Sequence, residues 1–419
     1  MSDRVPEGWV ATKLGTLGSF SKGKGISKSE TISKGIPCLR YAEIYTNYDF
    51  VIKNFKSFIE PDTIKTTKKL FKNDIIFAGS GETVEDIGKS VAFISDHEAY
   101  VGGDSIILTP SPDLDSIFLS YQLNDEIRRK QLRKLGQGSS VIHIYSSGLE
   151  DMNLVLPPLP EQKKIASILT SVDEVIETTQ KQIDKLQDLK KATMNELLTK
   201  GIGHTEFKDS ELGRIPKSWE VKRLGDLLEL KNGVNTDKDA FGSGFPFITY
   251  KDVHSGNDLN EASLTKFVKL SSKEHTAFSV NFGDIFFTRT SETPEEIGLS
   301  NTYLGKNIGA VFNGFCIRGR PKTKLLSAKI SKYLFRSDYV RTQMKFLCKY
   351  TTRAGISGES LNRCLIALPT MNDQHLFENT LINIDKHIRV NVGKLSQTQS
   401  LKKSLMQDLL TGKVRVQVN

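Results

Sequence analysis

Residues 156–200 read LPPLPEQKKIASILTSVDEVIETTQKQIDKLQDLKKATMNELLTK, a proline-rich stop followed by a long run of apolar and charged residues. Apolar or small side chains recur in it at alternating spacings of four and three, the period of a coiled-coil seam. The charges balance, because residues 161–200 hold seven basic and seven acidic side chains. The stretch therefore predicts a solvated helix with one apolar stripe. The predicted seam residues are Ile165, Leu169, Val172, Ile176, Thr179, Ile183 and Leu186.

The same rhythm returns in the second half of the chain, after Leu368 and Pro369. Its predicted seam residues are Phe377, Leu381, Ile384, Ile388, Val392, Leu395 and Leu405. A helix of about 40 residues extends roughly 60 Å at 1.5 Å per residue, and neither helix could bury its stripe alone. We expect the two to pack on each other as an antiparallel coiled coil, a rod that holds two domains apart. The alternative is that each helix lies on its own domain, although helices of that kind are usually much shorter.

The whole chain is a tandem duplication with a period of about 210 residues. Two copies of this length cannot form a solenoid, which stacks short units many times. Each copy mixes short β-like runs with Gly, Ser and Pro turns, so we predict an α+β fold with two tandem globular domains, each followed by a long helix. The matching pairs include Pro6 and Trp9 with Pro216 and Trp219, Asp74-Ile75 with Asp284-Ile285, and Leu189-Lys190-Lys191 with Leu401-Lys402-Lys403.

The repeat also sets the predicted boundaries, since a polar, glycine-bearing connection separates the two copies. The segments are residues 1–158 for the first globular domain, 159–200 for the first helix, 201–215 for the linker, 216–370 for the second globular domain, 371–412 for the second helix and 413–419 for a C-terminal tail.

Composition narrows the class of protein. No run of eighteen apolar residues occurs and the first residues lack the apolar segment of a secretory signal, so we expect a cytoplasmic protein without a membrane span. The four widely spaced cysteines predict free thiols rather than disulfides or a zinc site.

The net charge is +9, and it is unevenly spread between the two halves of the chain. Residues 1–160 hold 19 basic and 20 acidic side chains, whereas residues 201–372 hold 25 and 18.

Motifs that carry chemistry elsewhere are incomplete in this sequence. Six residues separate Gly81 from Gly88, where a phosphate-binding loop has four, so we interpret that stretch as a structural turn. Glu161-x-Lys163 resembles half of a metal-dependent nuclease site, but an acid at a helix start is also favoured by the helix dipole. There is no glycine-rich loop for S-adenosylmethionine, and the histidines are too scattered to bind a metal. We expect no catalytic residue and no metal site.

Binding of DNA is favoured by a pattern that recurs in both copies, a basic helix followed by a loop of Gly, Ser or Thr. Phosphates are held by Lys and Arg, while bases are read by Arg, Asn, Gln, Ser, Thr and aromatic side chains. In the first half the candidates are Lys22, Lys24, Lys28, Arg40, Tyr41, Arg128, Arg129, Lys130, Arg133, Lys134, Gln137, Ser139 and Ser140. In the second half they are Lys231, Tyr250, Lys251, Arg289, Thr290, Arg341, Lys345, Lys349, Tyr350 and Arg353.

Three stretches together suggest a family: residues 207–219, residues 156–162 and Leu409-Leu-Thr-Gly-Lys-Val414. Over essentially its whole length the chain resembles the DNA-specificity subunit of type I restriction–modification enzymes. The resemblance implies two target-recognition domains that read a bipartite site in double-stranded DNA, with the paired helices setting the spacer. It also implies two methyltransferase (modification) subunits and restriction/translocase subunits as partners, which would carry S-adenosylmethionine, ATP and Mg²⁺, with no cofactor on this chain. The second copy departs from the family's usual Pro-Pro-Leu-x-Glu-Gln run, since it reads Pro369-Thr-Met-Asn-Asp-Gln374.

Two other functions stay open on the residues alone. One is a self-contained methyltransferase or nuclease with a built-in recognition module, which would need several hundred further residues. The other is an architectural DNA-binding protein without sequence preference. Selection from a random DNA pool in the presence of the methyltransferase subunit separates them. An enriched gapped motif supports specificity, no enrichment supports an architectural role, and methyl transfer or cleavage by this chain alone supports the enzyme.

Overall fold

A computed structural model describes residues 5–418. Within them the chain forms two compact units, whose boundaries fall between Gln180 and Lys181 and between Val392 and Gly393. The first unit therefore contains the N-terminal part and the C-terminal end of the chain, and the second contains the middle. None of the helices in the described residues is long and apolar enough to cross a membrane. All four cysteines are free thiols, as predicted.

The first globular domain is built from short strands and helices. The strands are β1 (Val10–Lys13), β2 (Gly18–Lys22), β3 (Ile36–Leu39), β4 (Ser57–Ile59), β5 (Lys68–Leu70), β6 (Ile75–Ala78), β7 (Ser80–Gly81), β8 (Ser90–Ala92), β9 (Ala99–Val101), β10 (Ser105–Pro110), β11 (Ile142–His143) and β12 (Asn153–Leu156). The helices are α1 (Tyr41–Thr46), α2 (Ser116–Leu123), α3 (Glu126–Lys134), α4 (Ser146–Glu150) and the long α5 (Leu159–Lys200), with 3-10 turns at Leu14–Thr16, Lys28–Glu30 and Pro61–Thr66.

Two four-stranded sheets organise this domain. One has the order β2–β10–β6–β8 with antiparallel neighbours, and the other has the order β4–β3–β9–β5 with a parallel β3–β9 pair. The side chains of strand β6 pack on both faces of its sheet. Side chains alternate across a strand, and accordingly Ile75 and Phe77 enter one apolar cluster while Ile76 and Ala78 enter another. A four-residue apolar run is thus buried on both faces.

The second globular domain repeats the plan. Its strands are β13 (Phe207–Ser210), β14 (Gly213–Pro216), β15 (Glu220–Arg223), β16 (Leu228–Asn232), β17 (Phe241–Ile248), β18 (Phe267–Val268), β19 (Ile285–Thr288), β20 (Thr290–Ser291), β21 (Ser300–Thr302), β22 (Val311–Phe312), β23 (Cys316–Pro321), β24 (Lys349–Tyr350), β25 (Ala354–Gly355) and β26 (Leu365–Leu368). The helices are α6 (Leu224–Leu227), α7 (Tyr250–His254), α8 (Ser272–Ala277), α9 (Ala328–Leu334), α10 (Asp338–Leu347), α11 (Gly358–Asn362) and the long α12 (Met371–Leu409), with 3-10 turns at Lys238–Ala240, Glu261–Ser263 and Pro294–Glu296.

The main sheet of the second domain has the order β16–β23–β19–β21, the counterpart of β2–β10–β6–β8. Strand β19 divides its side chains as β6 does, since Ile285 and Phe287 join one cluster and Phe286 another. A three-stranded sheet of order β18–β17–β22 contains the parallel pair β17–β22. The α+β prediction agrees with this mixed helix and strand content.

Each unit holds the start of one long helix against the end of the other. In the first unit, Ile165 and Leu169 of α5 share an apolar cluster with Leu405 and Leu409 of α12. In the second unit, Phe377 of α12 lies in one cluster with Met194, Leu197 and Leu198 of α5. The helix ends are therefore antiparallel within each unit. Among the predicted seam residues, Ile165, Leu169, Thr179, Ile183, Phe377 and Leu381 are buried, Val172, Ile176, Leu186, Ile384, Ile388, Leu395 and Leu405 are half-buried, and Val392 is exposed.

Candidate nucleic-acid interface

The first small sheet, β7 paired with β11, carries the polar loop that follows the basic helix α3. Gln137 and His143 exchange main-chain hydrogen bonds of 2.9 and 2.8 Å, which close a tight hairpin. Gly138 has a φ of 122°, and a Cβ added there would lie 2.2 Å from a main-chain carbonyl oxygen, so glycine is required. The hairpin leaves Gln137, Ser139 and Ser140 exposed. These side chains can donate to and accept from base edges.

The second small sheet, β20–β25–β24, occupies the corresponding place in the second domain. Lys349, Tyr350 and Arg353 are exposed on it, and Arg353 pairs with Glu292 at 3.1 Å. Phe346, in the last turn of α10, is 88% exposed. The second sheet and the end of α10 thus present two aromatic rings and two cations, where the first sheet presents an amide and two hydroxyls.

Equivalent tyrosines begin a short helix in each domain. Tyr41 begins α1, which packs beside β7. Tyr250 begins α7, which packs against β19 and β21. Burial is the main cause that raises the pKa of Tyr250 above its usual value, and its ring stacks on His254 with centroids 5.5 Å apart.

Most of the polar and basic residues beside these tyrosines are only partly exposed to a DNA ligand. Arg40 is half-buried and pairs with Glu43 at 3.4 Å. Arg289, half-buried, donates to the carbonyl oxygen of Gly314 at 3.4 Å. Thr290 is half-buried in β20, whereas Lys251 is exposed.

Three arginines that the sequence predicts to contact DNA phosphates are buried and stabilise the fold instead. Arg128 is buried against Asp125 at 3.0 Å. Arg129 donates to two main-chain carbonyl oxygens of residues 85–87, and Arg341 donates to that of Glu295 at 2.9 Å. Burial lowers the pKa of Arg129 and of Arg341 to about 10. We correct the prediction for these three arginines: Arg129 and Arg341 face the loop that precedes β8 or β21, and Arg128 pairs with the acid that caps its own helix.

The remaining candidates differ in exposure. Lys231 donates to the Ala277 carbonyl oxygen at 2.6 Å and lies over the Phe278 ring, so it too is engaged. Arg133 is half-buried, 3.8 Å from Glu126. The other candidates are exposed: Lys22, Lys24 and Lys28 around the end of β2, Lys130 and Lys134 on α3, and Lys345 on α10.

The stretch that resembles a phosphate loop is a turn. Gly88 has a φ of 65°, and a Cβ there would lie 2.9 Å from the Leu132 side chain. Its counterpart Gly298 has a φ of 64°, and a Cβ there would lie 2.7 Å from the Met344 sulfur. Both glycines let the turn pack against the basic helix, which accounts for their recurrence.

The acids at the two long-helix starts are also held by the fold. Arg415 donates to both carboxylate oxygens of Glu161 at 2.7 Å. In the second domain Asp373 accepts a 2.9 Å hydrogen bond from the Trp219 indole and lies 3.2 Å from His204. Neither acid is free for chemistry. Within residues 5–418, no three His, Cys, Asp or Glu side chains lie close enough together to hold a metal ion.

Sequence reasoning missed two ionic junctions. In the first junction, Tyr121 donates to Asp173 at 2.6 Å and Lys402 pairs with the same carboxylate. In the second junction, Tyr333 and Lys190 each lie 2.7 Å from Asp385. The signal was present, because Lys190 and Lys402 are part of the repeated Leu-Lys-Lys motif, but nothing local to that motif reveals the distant tyrosine and aspartate.

Comparison with known proteins gives consistent matches. The family model for the type I restriction modification DNA specificity domain matches the chain twice, at residues 6–188 and 216–398. The type I restriction enzyme MjaVIII specificity subunit of Methanocaldococcus jannaschii is 27% identical, over 99% of this chain and 94% of that protein. The EcoKI specificity subunit of Escherichia coli K12 is 24% identical, over 88% of this chain and 81% of that protein.

Two solved structures share the fold. The S subunit of a type I restriction–modification system from M. genitalium superposes with a TM-score of 0.57 at 15% identity, over 98% of this chain and 97% of that one. A chain from a study of complex assembly and conformational transition of the type I R-M system superposes with a TM-score of 0.59 at 16% identity, covering 99% and 100%.

Proposed function

This chain belongs to the family of type I restriction–modification DNA-specificity proteins, and from that premise we propose that each of its globular domains reads one part of a split DNA target. The chain is a specificity subunit and supplies the DNA sequence specificity of a restriction–modification complex. The observation that carries the split-target proposal is the duplication: the family domain occurs twice, and each copy has its own core and its own small sheet. The test is methylome sequencing of cells that carry the chain with a compatible modification subunit. A gapped motif is expected, and a continuous motif would contradict the proposal.

The two small sheets are the proposed reading surfaces. On the first, Gln137, Ser139 and Ser140 can hydrogen-bond to base edges in the major groove. On the second, Lys349 and Arg353 can contact phosphates, while the exposed Phe346 and Tyr350 rings can contact the thymine methyl group or an unstacked base. Exchanging residues 136–143 for an unrelated loop should alter one half of the motif and leave the other half unchanged. A change in both halves would refute the assignment.

The partners proposed are double-stranded DNA, two modification subunits and restriction/translocase subunits. Support for two copies of one partner comes from the long helices, where Leu189 is 51% exposed and its repeat equivalent Leu401 is 53% exposed. Exposed leucines at equivalent positions fit two identical apolar contacts. Native mass spectrometry tests this: Leu189→Asp and Leu401→Asp should each lose one modification subunit and the double variant both. The control is Asn379→Asp, an exposed position on α12.

We also propose that the chain is non-catalytic and that S-adenosylmethionine, ATP and Mg²⁺ act on its partner subunits. Support comes from Glu161, the acid considered for nuclease chemistry, which is held by Arg415. Methyl transfer or cleavage by the purified chain alone, lost on Glu161→Gln, would contradict this.

The long helices are proposed to form an antiparallel coiled coil that fixes the spacer between the half-sites. An insertion after Thr199 would leave the spacing unchanged, because Leu197 and Leu198 are already anchored in the second unit. Four residues should instead be added to each helix at the unit boundary, after Gln180 and after Val392. At 1.5 Å per residue this adds about 6 Å, or one to two base pairs at about 3.4 Å each. An unchanged spacer in the methylome would refute the coiled-coil ruler.

A further inference from the structure

A cavity of about 750 Å³ lies in the second unit, between the end of α5, the start of α12 and the helices α9 and α10. The loop of residues 255–258 forms another wall. That loop directly follows the last residue of α7. None of the residues that line the cavity lies in β20, β24 or β25, so the cavity is distinct from the proposed reading surface. Its volume is within the range of about 300–1,000 Å³ that small-molecule sites usually have.

Positive charge dominates the wall of this cavity, with six cationic and three acidic side chains. Three of the cations have acidic partners: Lys190 is 2.7 Å from Asp385, and Lys332 and Arg389 lie 2.7 and 2.9 Å from Asp258. The other three are Lys191, Arg336 and Arg341. Within residues 5–418 none of these three has a carboxylate within 4.0 Å.

The two arginines hold their positions by bonds to neutral acceptors. Arg336 donates to the carbonyl oxygens of Ser300 at 2.5 Å, Val253 at 2.9 Å and His254 at 3.0 Å. Arg341 donates to a carbonyl oxygen and to the Met344 sulfur at 3.6 Å. Burial lowers the pKa of each guanidinium to about 10, and the nearby charge of Arg341 adds to the effect at Arg336. A partly desolvated cation without a counter-charge is costly, so an anion here would be favoured.

We propose that this cavity binds a phosphate group beside Arg336 and Lys191, and that the positive charge of the buried Arg341 strengthens the attraction. Planar guanidinium groups match phosphate geometry, and a lysine adds a mobile point charge. The source of the phosphate is either a free phosphate-bearing small molecule or the backbone of bound DNA. This proposal does not rest on the reading of a split target, because the first experiment measures anion binding by the chain without DNA.

At the equivalent place of the first unit, the described residues are arranged differently. There the loop after α1 brings Phe50 against Tyr121, with ring centroids 4.4 Å apart, and the Lys402 ammonium lies 4.0 Å over the Phe50 ring. Asn124, in the position equivalent to Arg336, donates to the Ser90 carbonyl oxygen. The Phe50 ring thus occupies the space that is a cavity in the second unit. The neutral Asn124 amide stands where the second unit has the Arg336 charge.

The first experiment locates the ion. Crystals of the full chain soaked in tungstate, a phosphate-like oxyanion, should show anomalous density in this cavity beside Arg336 and Lys191. In solution, calorimetric titration with pyrophosphate should give an affinity at least tenfold weaker for Lys191→Glu than for the wild type. The matched control is Lys185→Glu, also exposed on α5 but outside the cavity, which should bind as the wild type does. Absent density together with equal affinities of wild type and Lys191→Glu would overturn the proposal.

A second measurement separates the two sources. In complex with the modification subunit, Lys191→Glu should lower the salt slope of DNA binding by about 0.9 if the phosphate is one of the DNA backbone. An unchanged slope, with weakened pyrophosphate binding, identifies a free phosphate-bearing ligand. If neither the slope nor the pyrophosphate affinity changes, the cavity has no phosphate site.

Discussion

In the first unit the junction of helix and domain consists of Tyr121, Asp173 and Lys402, and in the second it consists of Tyr333, Asp385 and Lys190. In both, the tyrosine comes from the globular domain, the aspartate from one long helix and the lysine from the other. The surroundings differ, because the second junction adds Lys332 at 3.6 Å from Asp385. The duplication has kept the three groups that bind helix to helix and helix to domain, while the adjacent space has become an aromatic contact in one unit and a charged cavity in the other.

The long-helix starts show a second difference between the units. Glu161 is held by Arg415, and the indole nitrogen of the buried Trp9 has no hydrogen-bond partner in the described residues. Asp373, one methylene shorter, accepts from the Trp219 indole. The equivalent tryptophans therefore differ: Trp219 contributes a buried hydrogen bond, whereas the Trp9 indole nitrogen contributes none and its ring lies 5.8 Å from the Arg415 guanidinium.

The largest expected effect is the loss of stability when the aspartate of a junction is removed. The Asp385 side chain is 10% exposed and that of Asp173 is 22% exposed. Removing one partner of a buried ion pair costs about 3–5 kcal/mol, so Asp385→Ala should destabilise the second unit by about 3 kcal/mol and Asp173→Ala the first unit by less. Urea unfolding followed by tryptophan fluorescence resolves them, because Trp9 reports on the first unit and Trp219 on the second. Equal or reversed losses would show that burial does not set the strength of the junctions.

The tryptophans give the next effect in size. Trp219→Phe removes a buried hydrogen bond and leaves Asp373 with fewer donors, whereas Trp9→Phe removes a donor that has no partner. Loss of the ring volume is common to both. The difference in the free energy of unfolding should therefore be about 1–2 kcal/mol, with Trp219→Phe the more costly change. Circular dichroism during urea unfolding measures it, and equal losses would mean that the Trp219 bond contributes no stability.

The pH dependence of the second unit should also reflect its junction. Burial raises the pKa of Asp385, but the hydrogen bonds from Lys190 and Tyr333 and the charges of Lys190 and Lys332 outweigh it and hold the pKa below its usual value. The stabilisation is therefore present above the unfolded pKa of about 3.9 and lost as the pH falls through the lower folded pKa. Unfolding measured from pH 5 down to pH 2 should show a steeper loss for the wild type than for Asp385→Asn. Parallel curves would contradict this.

The long helices could be predicted from the local spacing of apolar residues such as Ile165 and Leu169. The duplication could be predicted from the repeated identities. The role of the arginines could not, since Arg129 and Arg341 are distinguished from exposed neighbours only by the carbonyl oxygens that the preceding turn brings to them. The partners of Glu161 and Asp173 are likewise contributed by the far end of the chain, more than two hundred residues away in sequence. Such contacts depend on the antiparallel return of α12 rather than on any local pattern.

The smallest expected effect compares the two small sheets on DNA. Residues 201–372 hold 25 basic and 18 acidic side chains against 19 and 20 in residues 1–160, and the exposed cations Lys349 and Arg353 lie on the second sheet. Each phosphate contact contributes about 0.9 to the salt slope of binding, so Lys349→Ala should lower the slope by about that amount. Gln137→Ala, on the first sheet, removes no charge. It should leave the slope unchanged while weakening discrimination among bases in one half-site. The measurement is DNA binding between 50 and 200 mM salt, with the full chain assembled on its modification subunits. Equal slopes for both variants would place the phosphate contacts elsewhere, for example at Lys22, Lys24 and Lys28, and would restrict the second small sheet to contacts with bases.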